Sequence, residues 1–225
     1  KSPFLLTAHW SSMFKFFDNK SFQTEIFADA LKQCATDPTK TRELQQELST
    51  QVEAAMKKKR NSRNSRLSKP PPIYDWMQST DFVKVSPGCA ETSALQFAIL
   101  TGLTHLIPAF VDCTNNQRIQ QEAFVAALKM LKEKDNILKS RCSEAQKTQA
   151  QSEKEHALHC LRTMMQTVGY SEILQHDHLI KLSISRDSGL AIGSALEYAI
   201  DHGLDDIIPE LIELTTNVQT QKKAF

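Results

Sequence analysis

Apolar residues recur three and four positions apart through most of the chain, a spacing that places them on one face of an α-helix. The pattern predicts two helices within residues 21–60, a helix that includes Ile119, and a later helix that ends at Gly169. Each of these helices has one apolar face, which a neighbouring element must cover. Residues 143–155 carry no apolar side chain larger than alanine, so this stretch is either a solvated helix or a mobile connection.

One segment of the sequence occurs twice, because residues 93–124 and 194–225 align without a gap at a displacement of 101. Many of the residues kept between these copies are apolar or set backbone conformation rather than reactive: Ala94/Ala195, Leu95/Leu196, Ala98/Ala199, Ile99/Ile200, Gly102/Gly203, Leu103/Leu204, Ile107/Ile208 and Pro108/Pro209. A second match, displaced by 97, relates residues 19–32 to residues 116–129. We therefore divide the chain into repeat copies at 1–32, 33–129 and 130–225, and we expect both chain ends to cut through a copy.

The repeated segment is predicted to form two short antiparallel helices. Ser93 stands where an N-cap is expected, and Gly102 stands where the first helix must end in the left-handed conformation; Ser194 and Gly203 hold the same places in the second copy. A proline lies six residues after each glycine, and it lacks a backbone N–H. The second helix is therefore expected to start close to the second residue after each glycine, or else to kink.

Residues 194–213 read Ser-Ala-Leu-Xaa-Xaa-Ala-Ile-Xaa-Xaa-Gly-Leu-Xaa-Xaa-Ile-Ile-Pro-Xaa-Leu-Ile-Glu, which resembles the helix pair of an ankyrin repeat. The usual ankyrin pattern is Thr-Pro-Leu-His-Xaa-Ala-Ala-Xaa-Xaa-Gly followed by a helix rich in valine and leucine. In this chain no Thr-Pro-Leu-His is intact, a proline lies inside the second helix, and Thr114-Asn115-Asn116 replaces the glycine-containing turn. The resemblance implies an all-α solenoid of antiparallel helix pairs. Diverged arrays of this kind are similar to those in secreted effectors of intracellular bacteria.

Bulk composition narrows the function classes only slightly. The chain has 27 basic and 26 acidic residues, with a formal net charge of +1, so its overall charge does not favour nucleic acid or anionic lipid as a partner. Five cysteines without a C-x-x-C spacing fit a reducing compartment, which predicts a cytoplasmic location, or the host cytoplasm if the effector resemblance holds. No apolar run reaches the length of a membrane span, and no glycine-rich phosphate loop or other cofactor motif occurs.

The densest local charge is a run of cations in residues 57–69, followed by three prolines up to residue 72. Its first six cations are Lys57, Lys58, Lys59, Arg60, Arg63 and Arg66. Such a run is most simply a solvated linker. The alternative is an adaptor that binds anionic lipid or nucleic acid through this segment, since clustered lysine and arginine bind phosphate groups.

Two places carry residues capable of other chemistry, and either would make the chain a regulatory or enzyme fragment. Cys89 precedes a predicted helix, where the helix dipole lowers a thiol pKa and favours a nucleophile. His156, His159 and Cys160 have helical spacing and could share a zinc ion with the pair His176 and His178. We expect neither catalysis nor a metal site, because Cys89 aligns with a leucine in the next copy and the histidine spacing matches no known ligand set.

We interpret the chain as a non-catalytic protein–protein interaction module of a larger protein, with a partner whose identity the sequence does not encode. Exposed positions of the first helix in each pair differ between copies, whereas the apolar positions do not. A recognition surface on a common scaffold has this pattern, as does neutral drift of surface residues. The candidate contact residues are Gln96, Leu100 and Thr101 in one copy and Glu197, Asp201 and His202 in the next.

Overall fold

Helices dominate the computed structural model, which describes residues 20–36, 46, 49–50, 52–54, 57, 72–84, 91–167 and 194–216. The α-helices, numbered α1 to α8, are Lys20–Thr36, Pro72–Met77, Ala94–Leu100, Ile107–Cys113, Gln117–Lys139, Glu144–Met165, Ala195–Asp201 and Ile208–Leu214. The predicted all-α class is confirmed. The exception within the described ranges is one antiparallel pair of two-residue strands, β1 (Val83–Lys84) and β2 (Glu91–Thr92). The chain divides into two units, Lys1–Thr114 and Asn115–Phe225.

The first unit has an aromatic core. The ring of Phe27 on α1 lies 5.5 Å from Trp76 on α2, 5.7 Å from Phe82 and 6.4 Å from Phe110 on α4, measured between centroids. These separations are typical of tilted aromatic contacts, which add to the stabilisation from burial. One side chain of α1 therefore joins three other parts of the unit. Of the two helices predicted within residues 21–60, α1 is confirmed, whereas most of the second lies outside the described residues.

The second unit is built on two long packed helices, α5 of 23 residues and α6 of 22 residues. Residues 143–155 form a helix and not a mobile connection, because α6 begins directly after its N-cap at Ser143 and continues through them. Ser143 starts it with a capping box, in which the serine hydroxyl accepts from the backbone N–H of Gln146 and the glutamine side-chain oxygen accepts from the N–H of Ser143. The helix ends at Met165, before the predicted end at Gly169.

Ion pairs join these two long helices near the C-terminal end of α5. Asp135 on α5 accepts from Lys154 on α6 at 2.9 Å and also pairs with Lys139. Lys134 pairs with Glu153 at 2.8 Å. Because each pair is mostly shielded from water on at least one side, it contributes more than a fully exposed ion pair does.

Candidate functional site

The first copy of the repeated segment folds as a hairpin, α3 to α4, whose turn is fixed by backbone hydrogen bonds. The Ser93 hydroxyl caps α3 by accepting from the N–H of Gln96 at 3.1 Å. At the other end, Gly102 has φ 78° and the N–H of Leu103 donates to the Ala98 carbonyl at 2.9 Å. This six-to-one bond across a left-handed glycine is a Schellman motif, so the recurring glycine and its apolar neighbours are explained by the turn.

The second copy, α7 to α8, repeats this set of bonds. Ser194 caps α7 together with Glu197, whose carboxylate accepts from the serine N–H. Gly203 has φ 61°, and the N–H of Leu204 donates to the Ala199 carbonyl at 2.9 Å. The predicted serine caps and left-handed glycines are therefore present in both copies.

The second helix of each hairpin starts later than predicted. Residues Thr104–Leu106 form a short 3-10 turn, and the α-helix begins at Ile107, with the equivalent helix of the other copy beginning at Ile208. Each proline thus lies in the first turn of its α-helix, where no intrahelical N–H bond is required. In the first copy, the tight 3-10 geometry accommodates the residues between glycine and proline without a kinked α-helix.

Each hairpin closes on a buried threonine that the sequence pattern did not lead us to single out. Thr114 is 1% exposed and its hydroxyl donates to the Phe110 carbonyl at 2.7 Å; Thr215, 2% exposed, donates to the Leu211 carbonyl at the same distance. The same two carbonyls also accept the backbone N–H of the threonine, at 3.0 Å in both copies, so each threonine holds the last helical turn through two bonds. The signal was available, since both threonines align at the displacement of 101.

The three candidate contact residues of the first copy lie on or just after α3 but differ in exposure. Leu100 is the most exposed large apolar side chain of the described residues, at 39%. Gln96 is half-buried, and the half-buried Thr101 donates its hydroxyl to the Phe97 carbonyl at 2.7 Å. Leu100 is therefore the member of this set that offers most surface to a partner.

In the second copy, two of the three candidates already contact other parts of the chain. Glu197 belongs to the cap of α7, whereas Asp201 is exposed at the end of that helix. The Nε2 atom of His202 lies 3.2 Å from the Lys132 ammonium of α5, and the His202 ring meets the Tyr198 ring edge-on at 4.3 Å. Burial lowers the pKa of His202, with a further contribution from the Lys132 charge and partial compensation by Asp201.

A charge network attaches the second hairpin to the long helices. Lys154 bridges Asp135 and the Asp206 carboxylate, the latter at 2.7 Å. Arg162 on α6 pairs with Glu210 at 2.9 Å and donates to the Asp206 carbonyl at 3.2 Å.

The histidine and cysteine cluster is only partly described. Cys160 is buried, its sulfur lies 3.5 Å from Nε2 of His156, and burial raises the pKa of its thiol to about 12. His159 is exposed, and His176 and His178 lie outside the described residues. Within the described part of the chain, no three histidine, cysteine or acidic side chains are grouped so as to hold a metal ion.

Two further candidates cannot be placed. Cys89 lies outside the described residues, as does the basic segment 57–69 apart from Lys57, whose side chain is exposed.

None of the helices in the described ranges has the length and apolar character needed to cross a bilayer. No family model, curated protein or solved structure matches this chain.

Proposed function

We propose that the chain is a non-catalytic protein-interaction module, built as a solenoid of ankyrin-like helix pairs. One observation carries this proposal: the two hairpins keep the same caps, the same Schellman turn and the same closing threonine, while their exposed positions differ. A scaffold that repeats while its surface varies is the arrangement that binding arrays use.

The exposed positions at the end of the first helix in each hairpin are the proposed contact residues. Leu100 supplies apolar area in the first hairpin, and Asp201 supplies a charge at the aligned helix terminus of the second. An apolar residue surrounded by polar positions is a common anchor at protein interfaces. Gln96 and Thr101 lie beside Leu100 and complete this surface.

The enzyme alternative has less support at the cluster around Cys160. A nucleophilic thiol requires a lowered pKa, whereas burial raises the pKa of Cys160 to about 12. The adaptor alternative depends on residues 57–69, and its support is the run of lysine and arginine in the sequence there. Cytoplasmic location is part of the proposal and is supported by the free thiols of Cys142 and Cys160.

Affinity capture tests the proposed surface. The wild-type chain is compared with a Leu100→Glu, Asp201→Arg double variant and with Arg141→Glu, a control that changes an exposed charge on the connection between α5 and α6. Quantitative mass spectrometry of the captured proteins should show a protein that the wild type and the control retain and that the double variant loses. Equal capture by all three chains would show that these helix termini are not the binding surface.

A further inference from the structure

Lys132 is a half-buried cation whose described partners carry no negative charge. Its ammonium lies 3.2 Å from Nε2 of His202 and 5.7 Å from the centroid of the Tyr198 ring. An ammonium group can only donate, so Nε2 must be the acceptor and the proton of the neutral imidazole is on Nδ1. Lys132 therefore has donor capacity that the imidazole does not use.

The other half-buried lysines of the same unit are paired with acids. Lys134, with a side chain 17% exposed, contacts Glu133 and Glu153. Lys154, 15% exposed, contacts Asp135 and Asp206. No described carboxylate lies within ion-pair distance of Lys132, which sets it apart, because a shielded cation is normally compensated by an anion.

The arrangement belongs to the second hairpin alone. At the repeat displacements, Tyr198 and His202 align with Phe97 and Thr101, and Lys132 aligns with Ala35. Thr101 uses its hydroxyl on a backbone carbonyl of its own helix. Three aligned positions thus carry chemistry in one copy that they lack in the other, while the scaffold bonds around them are the same.

We propose that Lys132 and His202 form a binding site for a carboxylate side chain of an acidic protein partner, with the Tyr198 ring packed against both. The carboxylate replaces Nε2 as the acceptor for the Lys132 ammonium and accepts a second bond from Nε2 itself, which takes up a proton from solvent and becomes a cationic donor. This inference rests on the proposed interaction function. It names one contact that the partner makes.

The surrounding charges favour a single carboxylate over a phosphate dianion. Of the three residues of the site, Lys132 is the one with a fixed positive charge, and Asp201, adjacent to His202, raises the pKa of that histidine and repels additional negative charge. A monoanion balances this arrangement, whereas a dianion needs a second fixed cation.

Titration of the His202 ring by NMR with a hexaglutamate peptide tests the proposal at constant ionic strength. The His202 signal is assigned by its loss in His202→Gln. Bound peptide should raise the pKa of His202, and Lys132→Met should weaken binding about tenfold, because one charge-assisted hydrogen bond is lost. Lys132→Arg, which keeps the charge, should retain binding, and Lys147→Met serves as a control on α6 that removes a lysine whose side chain is 41% exposed.

Equal weakening by Lys132→Met and Lys147→Met would overturn the proposal, since the peptide would then respond to overall charge only. Binding of inorganic phosphate without binding of hexaglutamate would also overturn it. The proposed function fails separately: if affinity capture shows no dependence on Leu100 and Asp201 while hexaglutamate still protonates His202, the carboxylate site stands and the hairpin surface does not.

Discussion

At the scale of single residues, the two glycines of the hairpins have the most specific role. Gly102 and Gly203 have φ 78° and 61°, and a Cβ added at either would meet nothing within 4 Å. Replacement therefore costs backbone strain alone, without a steric clash.

Gly203→Ala should lower the free energy of unfolding by about 1–2 kcal/mol, the usual cost of a side chain in the left-handed region. Gly203→Asn should cost less, because asparagine tolerates this conformation better than alanine does. Urea unfolding measures both. Equal losses for the two variants would mean that the turn does not hold a left-handed residue.

Buried and half-buried neighbours on α3 provide a second test. Leu95 is 1% exposed and Gln96 is half-buried beside it. Leu95→Asp should destabilise by several kcal/mol, on the order of 3 or more, because it buries a charge without a partner. Gln96→Asp should shift the melting temperature little. If both variants melt alike, the assignment of the core face from apolar spacing is incorrect.

Residue roles were predictable from sequence when they depended on neighbours along the chain. Ser93 and Gly102 follow local capping rules, so their roles could be predicted. The contact of His202 with Lys132 joins residues far apart in sequence, which no local pattern encodes. Glu197 was predicted to be a contact residue on the surface, but its carboxylate completes the capping box of α7. An acid at the third helical position gives the same sequence pattern in both cases.

At the scale of elements, apolar periodicity predicted helices well and their ends poorly. Helix α6 begins in a segment of polar residues, where periodicity has no signal, and this first part of the helix is stabilised by the capping box and by ion pairs with α5. Tertiary contacts decide such cases, and sequence spacing does not report them.

The Asp135 pairs should make the α5–α6 contact sensitive to acid. Burial alone would raise the pKa of Asp135, but hydrogen bonds from Lys139 and Lys154 outweigh it and hold that pKa below the ordinary 3.8. The stabilisation is fully present above 3.8 and is lost as pH falls through the lower pKa of the folded chain. Asp135→Asn should therefore cost about 2 kcal/mol at pH 7.

Urea unfolding of Asp135→Asn and wild type across pH 7 to pH 3 checks this expectation. The difference between the two chains should narrow at the acid end. A difference that stays constant over the whole range would mean that packing, and not the carboxylate charge, accounts for the loss.

At the scale of the whole molecule, repeat copies and structural units divide the chain differently. The units meet at Thr114 and Asn115, inside the copy predicted at 33–129. The physical reason is that α5 packs on α6, so the helix that ends one sequence copy shares its core with the helices that follow. Sequence similarity marks what was duplicated, whereas contacts mark what packs together.

Deletion of residues 61–69 should leave the free energy of unfolding nearly unchanged. The segment offers one large apolar side chain, Leu67, and its charges have no counterpart in the next copy. Urea midpoints of the full chain and the deletion variant compare them directly. A clearly lower midpoint for the variant would show that the segment packs against the fold.

Each hairpin carries within itself every bond that defines its turn, from the serine cap to the closing threonine. An exposed position such as Leu100 or Asp201 can therefore change in evolution without loss of the bonds that form the turn. The same independence makes the hairpin suitable for protein engineering. A new recognition surface can be introduced by substitutions on one copy, while the other copy serves as an unmodified internal reference.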